Sequence, residues 1–541
     1  MEALSLLENA DIDPATKQAL LTSFQSLLAE AKRDKLKIQA LTLELAHLKR
    51  IRFGKRSESL DPQQLDLFAE SVDEDIGSIH AELDTAEVND TTPKRQARQH
   101  PGRQALPDHL PRIEFRHEPE SCQCGACGKG LVKIGEDISE QLDVTPAIFT
   151  VHRHIRPQYA CRACETVTAA PIPPAVIDGG LATPGLLSWV VISKYADHLP
   201  LYRLEQMAER EGVPLARSTL ADWVGRVGYA LEPLHERLKE RLLQGGVLHA
   251  DETPVQQLDP GKGKTHKAYL WAFRSNTLDE GPPLIVFDYQ TGRSGQHARD
   301  FLGTWRGHLC VDDYSGYKAL FAANHDGVAC VELGCFAHAR RKFYELHAAN
   351  QNPLAEEVLR RIAELYAIES HGKEMTSDAR QALRLRESVP RLAELHRFLM
   401  DQCIKAAPGG AWAKALDYSL KRWDALARYA QTGNLPIDNN PVEQTIRPVA
   451  IGKKNWLFAG SERAGKRAAV IQSLIGTAKL NGVDPAAWMR ETLQELPLWP
   501  NKRIDELLPI DGWSRQRLKL PPCSPKKLKT IKKARHFYLT L

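Results

Sequence analysis

The sequence lacks the features of a secreted or membrane-bound protein. Its first twenty residues have neither a basic start nor an apolar core, so no signal peptide is expected. The longest mainly apolar run, 186–192, is far too short to span a bilayer. The ten cysteines do not suggest a disulfide framework in a chain of 541 residues. We therefore expect a cytoplasmic protein of several structural units.

Charge of one sign is missing from two segments. Residues 514–541 contain nine Lys/Arg and no Asp/Glu, whereas residues 61–92 contain ten Asp/Glu and no Lys/Arg. The remainder holds 63 Lys/Arg against 58 Asp/Glu, so the body of the chain is mildly basic. This balance is compatible with nucleic acid as a partner, although bulk charge alone does not identify one.

The N-terminal region predicts a single helix at 15–52, followed by a charged linker. Two sets of residues recur every seven positions, namely Phe24, Ala31, Ile38 and Leu45, and Leu27, Asp34, Leu41 and Leu48. This seam favours a leucine-zipper-like coiled coil, with an amphipathic helix packed on its own chain as the alternative. The composition of 53–115 predicts a disordered linker, acidic first and basic afterwards.

Five of the cysteines lie within 122–164, and four of them form two CxxC pairs. Two such pairs can hold a tetrahedral Zn²⁺ ion, and the alternating sequence between them predicts the hairpin of a zinc ribbon. We expect a zinc-binding domain at 116–172, with Cys122 outside the ligand set. His152 and His154 are rival ligands or hairpin residues on a nucleic-acid face. The predicted ligands are Cys124, Cys127, Cys161 and Cys164.

Residues 182–240 predict helices, and 200–227 resemble a helix-turn-helix. A first helix at 201–211 ends at Gly212, and Ser218 is positioned to cap a second helix. The second helix would then contact DNA, with Arg217 near its start. An ordinary helical hairpin is the alternative.

From Gly246 the pattern changes to three strands, followed by alternating helix and strand. This order fits a ribonuclease-H-like α/β core at 245–465, with a helical insertion at about 345–430. Asp251 lies on the first strand, and either Asp312 or Asp313 ends the fourth. The sequence Asn439-Asn440-Pro441 predicts a helix start, which puts Glu443 in its first turn.

Three convergent carboxylates suit phosphodiester chemistry. Cleavage and strand transfer must activate one oxygen and stabilise another, and two Mg²⁺ (or Mn²⁺) ions bound by carboxylate oxygens achieve both. A single Asp at a strand end is usually a turn or cap residue. The order Asp, Asp, Glu on this arrangement of strands is far more specific.

These motifs resemble the transposases of the insertion sequence 66 family. The resemblance covers nearly all of residues 20–510 and rests on RFGKRSE, the CxxC pairs, LPLYR, RSTLADWVG, HADETP, VDDYSGY, GCFAHARRKF, DNNPVEQTIRPVAIGKKNWLFAGS and ELLP. It implies a bacterial DDE transposase with Asp251, Asp312 and Glu443 as its catalytic, metal-binding acids. Asp312 is preferred because a small residue and then Tyr usually follow the family's second acid. Gln444 departs from the family, which often has Arg there.

The resemblance also implies the partners. They are DNA at the terminal inverted repeats and the target, a second copy of the chain joined through the coiled coil, and small companion proteins of the same element; no membrane is expected. Besides Arg217, the expected DNA contacts are Arg340, Arg341, Lys342, Arg447, Lys453 and Lys454.

Several alternatives stay open. Trp456 and Phe458 are core residues or base-stacking residues, and His338 either orients DNA or a carboxylate or is a buried, hydrogen-bonded residue. We expect a helical C-terminal domain at 466–512. The basic tail at 513–541 is a DNA-binding arm or a frameshift scar. Overall we expect a multidomain α+β transposase; the alternative is a non-catalytic zinc-containing DNA-binding protein or an inactivated transposase copy.

Overall fold

The computed structural model describes most of the chain. The described residues are 62–87, 110–118, 132–145, 148–171, 173–259, 264–322 and 330–510, with Trp513 and scattered positions at 23–48, 106 and 108. Within 23–48 these positions are helical. Leu41 and Leu48 of the predicted seam are buried against Val72 and Ile76 of the same chain, which is the packing expected from the alternative to a coiled coil.

The predicted disordered linker contains a long helix, α1 (Pro62–Glu87). The assignment of 53–115 to disorder is therefore wrong for these residues, and also for β1 (Arg112–Arg116). An excess of acidic residues predicts disorder only if their charges are not balanced by cations elsewhere in the fold. In α1, Glu70, Glu74 and Asp75 are buried next to cations from distant elements.

A first sheet surrounds the cysteine region. Strands β2 (Val132–Thr145) and β3 (Ile148–Ala160) form the predicted antiparallel hairpin. Strand β1 runs parallel to β3, and β4 (Val167–Ala169) pairs with β3 in antiparallel fashion.

A helical region follows the first sheet. It contains α2 (Pro184–Tyr195), α3 (Leu201–Arg210), α4 (Arg217–Ala230) and α5 (Glu232–Leu242). Helices α3 and α4 lie where the two helices were predicted, an arrangement shared by a helix-turn-helix and an ordinary helical hairpin. The predicted Ser218 cap is wrong, because α4 begins after Ala216 without a side-chain cap.

Helix α1 packs across α4, the second helix of this hairpin. The two backbones meet where a Cβ on Gly225 would lie 2.0 Å from the carbonyl oxygen of Glu74, so only glycine fits this crossing. Glu70 of α1 also accepts hydrogen bonds from the backbone N–H groups of Leu201 (3.3 Å) and Tyr202 (3.0 Å) at the start of α3. The acidic helix is thus an integral part of the helical region.

The second sheet has the five strands that the sequence predicts. They are β5 (Val247–Asp259), β6 (Lys264–Ser275), β7 (Ile285–Gln290), β8 (His308–Cys310) and β9 (Val331–Leu333), with α6 (Gly295–Leu302) and α7 (Lys318–Phe321) between them. The spatial order is β7-β6-β5-β8-β9. The first three strands pair antiparallel, and β8 and β9 are parallel to β5 and to each other, so β5 lies at the centre.

Helices make up most of the remaining chain, including the predicted insertion. They are α8 (Phe336–Asn350), α9 (Pro353–His371), α10 (Ser377–Leu383), α11 (Val389–Lys405), α12 (Ala411–Lys421), α13 (Trp423–Ala427), α14 (Asn440–Trp456), α15 (Glu462–Leu480) and α16 (Pro485–Glu495). Helix α15 covers the free edge of β7, where the hydroxyl groups of Ser473 and Thr477 accept the N–H groups of Phe287 (2.8 Å) and Ile285 (3.2 Å). An edge strand covered in this way cannot pair with another chain.

Candidate active site

Asp251 lies on the central strand and faces helix α14. It is paired in register with Ala272, which packs with Val442 and Ile446 of α14. Cross-strand partners share a face of the sheet, so the Asp251 side chain lies on the α14 side. Burial, and then the charge of Glu252, raises the pKa of Asp251 to about 8, although its carboxylate accepts the N–H of Glu252. The charges of Asp312 and Glu443 raise this pKa further, so the three acids act on one another.

Asp312 follows the neighbouring parallel strand. The last pair between β5 and β8 joins His249 to Cys310, so Asp251 and Asp312 each lie two residues beyond the same rung. The Asp312 carboxylate accepts the N–H of Tyr314 (2.9 Å), which shapes the turn after the strand. Parallel register therefore brings the two predicted acids side by side.

Asp313 has a different environment. Its carboxylate lies 3.6 Å from the guanidinium of Arg422 and 4.0 Å from the ammonium of Lys318. The charge of Asp313 is thus compensated by protein cations at the edge of the site. This agrees with its interpretation as a turn residue.

Glu443 lies in the first turn of α14, as the sequence predicts, and the helix start is fixed to β5. The buried Asn439 donates its side-chain N–H to the carbonyl of Ala250 (2.8 Å) and accepts from Nδ1 of His249 (3.0 Å). Its backbone N–H donates to Sγ of Cys335 (3.2 Å). The sequence analysis used Asn439 only as a helix start. Its second role is to fix α14 to β5, and a histidine on the predicted strand, two residues before Asp251, was the signal for this contact.

Glu443 lies close to His338 of helix α8. Its Oε1 lies 3.6 Å from Nδ1 of His338. Within the described part of the chain, the trio whose ligand atoms all lie within 4.8 Å of one another is Cys335, His338 and Glu443. Asp251, Asp312 and Glu443 lie around one region of the sheet, but their carboxylate oxygens do not all lie within 4.8 Å of one another.

Glu252 was missed by the sequence analysis. Successive strand residues face opposite sides, so Glu252 lies on the sheet face away from α14. There it accepts hydrogen bonds from Nε of Arg293 (2.8 Å) and from the hydroxyl of Tyr317 (2.7 Å). The Arg293 guanidinium also lies 3.8 Å from the ring centre of Tyr314. These contacts attach the loop that carries Asp312 to the central strand.

The donor set near Asp251 fits a hard divalent cation. Carboxylate oxygens are the preferred ligands of Mg²⁺ and Mn²⁺. A carboxylate whose pKa is raised by burial and by neighbouring carboxylates favours binding of a proton or a cation. Asp251, Asp312 and Glu443 are the residues that would hold such an ion.

The predicted DNA contacts differ in their environments. Arg340, Arg341 and Lys342 are exposed on α8, although Arg341 pairs with Glu345 (3.0 Å). Arg340 lies over the ring of Tyr344.

On α14, Arg447 and Lys454 are exposed, whereas Lys453 donates to the carbonyl of Pro254 (3.2 Å). Arg217 is held by Glu205 through its backbone N–H (3.0 Å) and Nε (3.3 Å).

The aromatic residues that follow α14 lie in two environments. Phe458 is buried in a cluster with Leu48 and Val72, as expected of a core residue. Trp456 is partly buried and lines an apolar cleft between α14, α15 and the end of α2.

Half of the predicted zinc site lies within the described residues. Cys161 and Cys164 form a tight turn between β3 and β4, where Cys161 donates its N–H to the carbonyl of Thr166 (2.9 Å). Two thiols spaced in this way fit one side of a tetrahedral zinc site. Cys124 and Cys127 lie outside the described residues.

The two rival ligands of the zinc site have other partners. His152 pairs with Asp143 (2.9 Å), and His154 bonds with Gln141 (3.0 Å) and His117 (3.0 Å).

A cysteine-bearing sheet, a helical hairpin region and a mixed sheet that carries the candidate acids follow one another along the chain. A family model described as the transposase IS66 family matches residues 179–467, and one for the zinc-finger binding domain of transposase IS66 matches 121–165. Models described as transposase C of IS166 homeodomain and as the IS66 C-terminal element match 40–115 and 473–510. The chain belongs to the transposase IS66 family.

The chain is also similar to uncharacterized proteins of Sinorhizobium fredii (strain NBRC 101917 / NGR234). It is 38% identical to y4jD over 479 residues, which cover 84% of this chain and 91% of that protein. It is 36% identical to y4qI over 517 residues, which cover 94% of this chain and 95% of that protein. Family membership supports a transposase role, and the zinc-finger region supports zinc binding. No described helix is long and apolar enough to cross a membrane.

Proposed function

We propose that this protein is a DDE transposase that cleaves DNA at the ends of an insertion sequence and joins the freed 3′-hydroxyl to target DNA. The observation that carries the proposal is the register of β5 and β8, which sets Asp251 and Asp312 beside each other under the helix that bears Glu443. The strand order, with three antiparallel strands followed by two parallel ones, supports a ribonuclease-H-like core.

The proposed chemistry needs a divalent cation at the three acids. Bound Mg²⁺ or Mn²⁺ would activate the attacking oxygen and stabilise charge on the leaving oxygen. The chain contributes the carboxylate oxygens of Asp251, Asp312 and Glu443. It also contributes the rigid support of these groups, through Asn439 on one side of the sheet and Glu252 on the other.

The exposed basic residues supply the second part of the proposal, namely DNA binding. Arg340 on α8 and Arg447 and Lys454 on α14 are exposed on the two helices that meet at Glu443. Cations at these positions would neutralise phosphates and hold the scissile strand over the acids. The zinc-finger region and the α3–α4 hairpin are proposed to bind the terminal inverted repeats, with a second chain and companion proteins of the element as further partners.

Cleavage of labelled terminal-repeat DNA tests the proposal. The variants Asp251→Asn, Asp312→Asn and Glu443→Gln should each abolish Mg²⁺-dependent cleavage. Asp313→Asn is the matched control, because its carboxylate is paired with Arg422 and should leave cleavage mostly intact. Full activity in any of the first three variants would remove that residue from the site. DNA binding by the wild type without metal-dependent cleavage would favour a non-catalytic or inactivated protein instead.

A further inference from the structure

Three potential metal ligands meet where α8 and α14 begin. Cys335 is the N-cap residue of α8 and is fully buried, and His338 lies one turn further along that helix. Glu443 reaches them from α14. The thiol sulfur, one imidazole nitrogen and one carboxylate oxygen all lie within 4.8 Å of one another.

Two of these ligand atoms are enclosed without a hydrogen bond. Nδ1 of His338 and Oε1 of Glu443 are shielded from solvent and have no hydrogen-bond partner among the described residues. They lie 3.6 Å apart, which is too far for a hydrogen bond between them. Buried polar atoms are nearly always satisfied, so two unsatisfied atoms that face each other mark a candidate place for a bound ion.

The separation of these atoms matches a tetrahedral ion. Two ligands with bonds of about 2.1 Å to one tetrahedral ion lie about 3.4 Å apart. The thiolate, imidazole and carboxylate donor set is that of Zn²⁺, whereas Mg²⁺ prefers oxygen ligands alone. The backbone N–H of Asn439 already donates to the Cys335 sulfur (3.2 Å), which is the kind of outer bond that orients a metal ligand.

We propose that Cys335, His338 and Glu443 bind a Zn²⁺ ion with an open fourth position. The site is separate from the CxxC zinc site and is not one of the ions expected at Asp251 and Asp312. The binding of zinc depends only on the geometry of these three residues. One consequence rests on the proposed function: Glu443 cannot hold Zn²⁺ here and serve the two aspartates at the same time, so occupancy would restrain cleavage.

Counting bound metal in the full-length chain tests the site. Wild type, Cys335→Ala and His338→Ala are saturated with Zn²⁺, freed of loose metal by gel filtration and measured by inductively coupled plasma mass spectrometry. Each variant should carry one Zn²⁺ per chain fewer than wild type. Cys330→Ala removes another buried thiol, one that contacts the carbonyl oxygen of Trp305, and should match wild type. Equal counts in all four proteins would overturn the proposal.

Cobalt substitution tests the zinc site with a variant chosen to fold, and it does so independently of the proposed transposase activity. If Cys335→Ala does not fold, Cys335→Ser is used, and folding is checked by thermal melting. The wild-type minus Cys335→Ser spectrum of the Co²⁺-loaded proteins should show thiolate-to-cobalt charge transfer; a flat difference spectrum would overturn the site. Metal counts do not depend on DNA cleavage. Mg²⁺-dependent cleavage with equal counts would leave the proposed function standing and leave His338 as a direct partner of Glu443.

Discussion

Two groups of buried carboxylates in this chain have opposite electrostatic surroundings. On α1, Glu74 and Asp75 contact the fully buried Arg467 (2.6 and 3.0 Å), and Glu74 also contacts Lys194 (2.9 Å). Burial alone would raise the pKa of Glu74, but Lys194 and Arg467 hold it below its ordinary value. Burial raises the pKa of Asp75, and the charge of Arg467 opposes that rise.

At the sheet, by contrast, burial and neighbouring carboxylates raise the pKa of Asp251 to about 8. The charges of the first group are balanced by cations of the protein itself. The second needs a cation from outside, and this difference separates a structural acid cluster from a candidate catalytic one.

The largest expected effect is on DNA cleavage, and it follows from changing Asp251, whose charge has no protein cation to balance it among the described residues. Asp251→Asn should reduce Mg²⁺-dependent cleavage by at least about 100-fold, since the metal ions supply several kcal/mol of transition-state stabilisation. In metal-free buffer at pH 7 the same change should not lower the melting temperature, because a carboxyl group with a pKa of about 8 is mainly protonated there and asparagine replaces one neutral side chain by another. Cleavage assays and thermal melts measure the two effects. A large loss of stability would mean that Asp251 has a structural role like that of Glu74.

The compensated group should respond in the opposite way. Arg467→Met leaves Glu74 and Asp75 without their shared cation and should destabilise the fold by about 3–5 kcal/mol. Urea unfolding measures this change. Lys466→Met on the same helix is the control, since its exposed pair with Glu462 (2.7 Å) should contribute less than about 0.5 kcal/mol. Similar losses in the two variants would contradict the comparison.

The link between β5 and α14 should matter for both stability and cleavage. Asn439→Ala removes the bonds to Ala250 and His249 and leaves buried groups unsatisfied, at a cost of about 2 kcal/mol. Cleavage should fall as well, because Glu443 is no longer fixed relative to Asp251. The exposed Asn455→Ala on the same helix is the control and should behave as wild type. Unchanged cleavage in a destabilised Asn439→Ala protein would limit this residue to a structural role.

The smallest effect is expected at an ion cluster near the surface. Asp505 bonds with Arg237 (2.7 Å) and Arg241 (3.0 Å), and the bond with Arg237 is the main cause that lowers the pKa of Asp505 to about 2. A carboxylate with a lowered folded-state pKa stabilises the fold above its unfolded pKa of about 4, and this contribution is lost as the pH falls toward 2.

An Asp505→Asn variant tests the surface cluster. It should cost at most about 1 kcal/mol at pH 7 and clearly less near pH 2, where about half of the Asp505 carboxylates are protonated, as measured by unfolding at both pH values. A constant difference between the variant and wild type at both pH values would exclude the ion pair as its cause.

The sequence predicted the local structure of the central region well. The strand predicted from Gly246 and the helix start predicted at Asn439-Asn440-Pro441 are present as β5 and α14, because strand and helix patterns are local properties. The acidic helix could not be predicted in this way. Its cation Arg467 lies 393 residues from Glu74, so composition indicated disorder where long-range ion pairs stabilise a helix. The roles of the three acids remain a prediction.

The sequence by itself determined which residue types follow one another: two CxxC pairs, an acid on the first strand, two at the end of the fourth, and one at a helix start. Only the tertiary structure decided which acids are compensated. It pairs Asp313 with Arg422 and Glu252 with Arg293, leaves Asp251 among like charges, and brings Glu443 to His338. The physical reason is that compensation of a buried charge depends on distance in space, and the partners come from elements far apart in the chain.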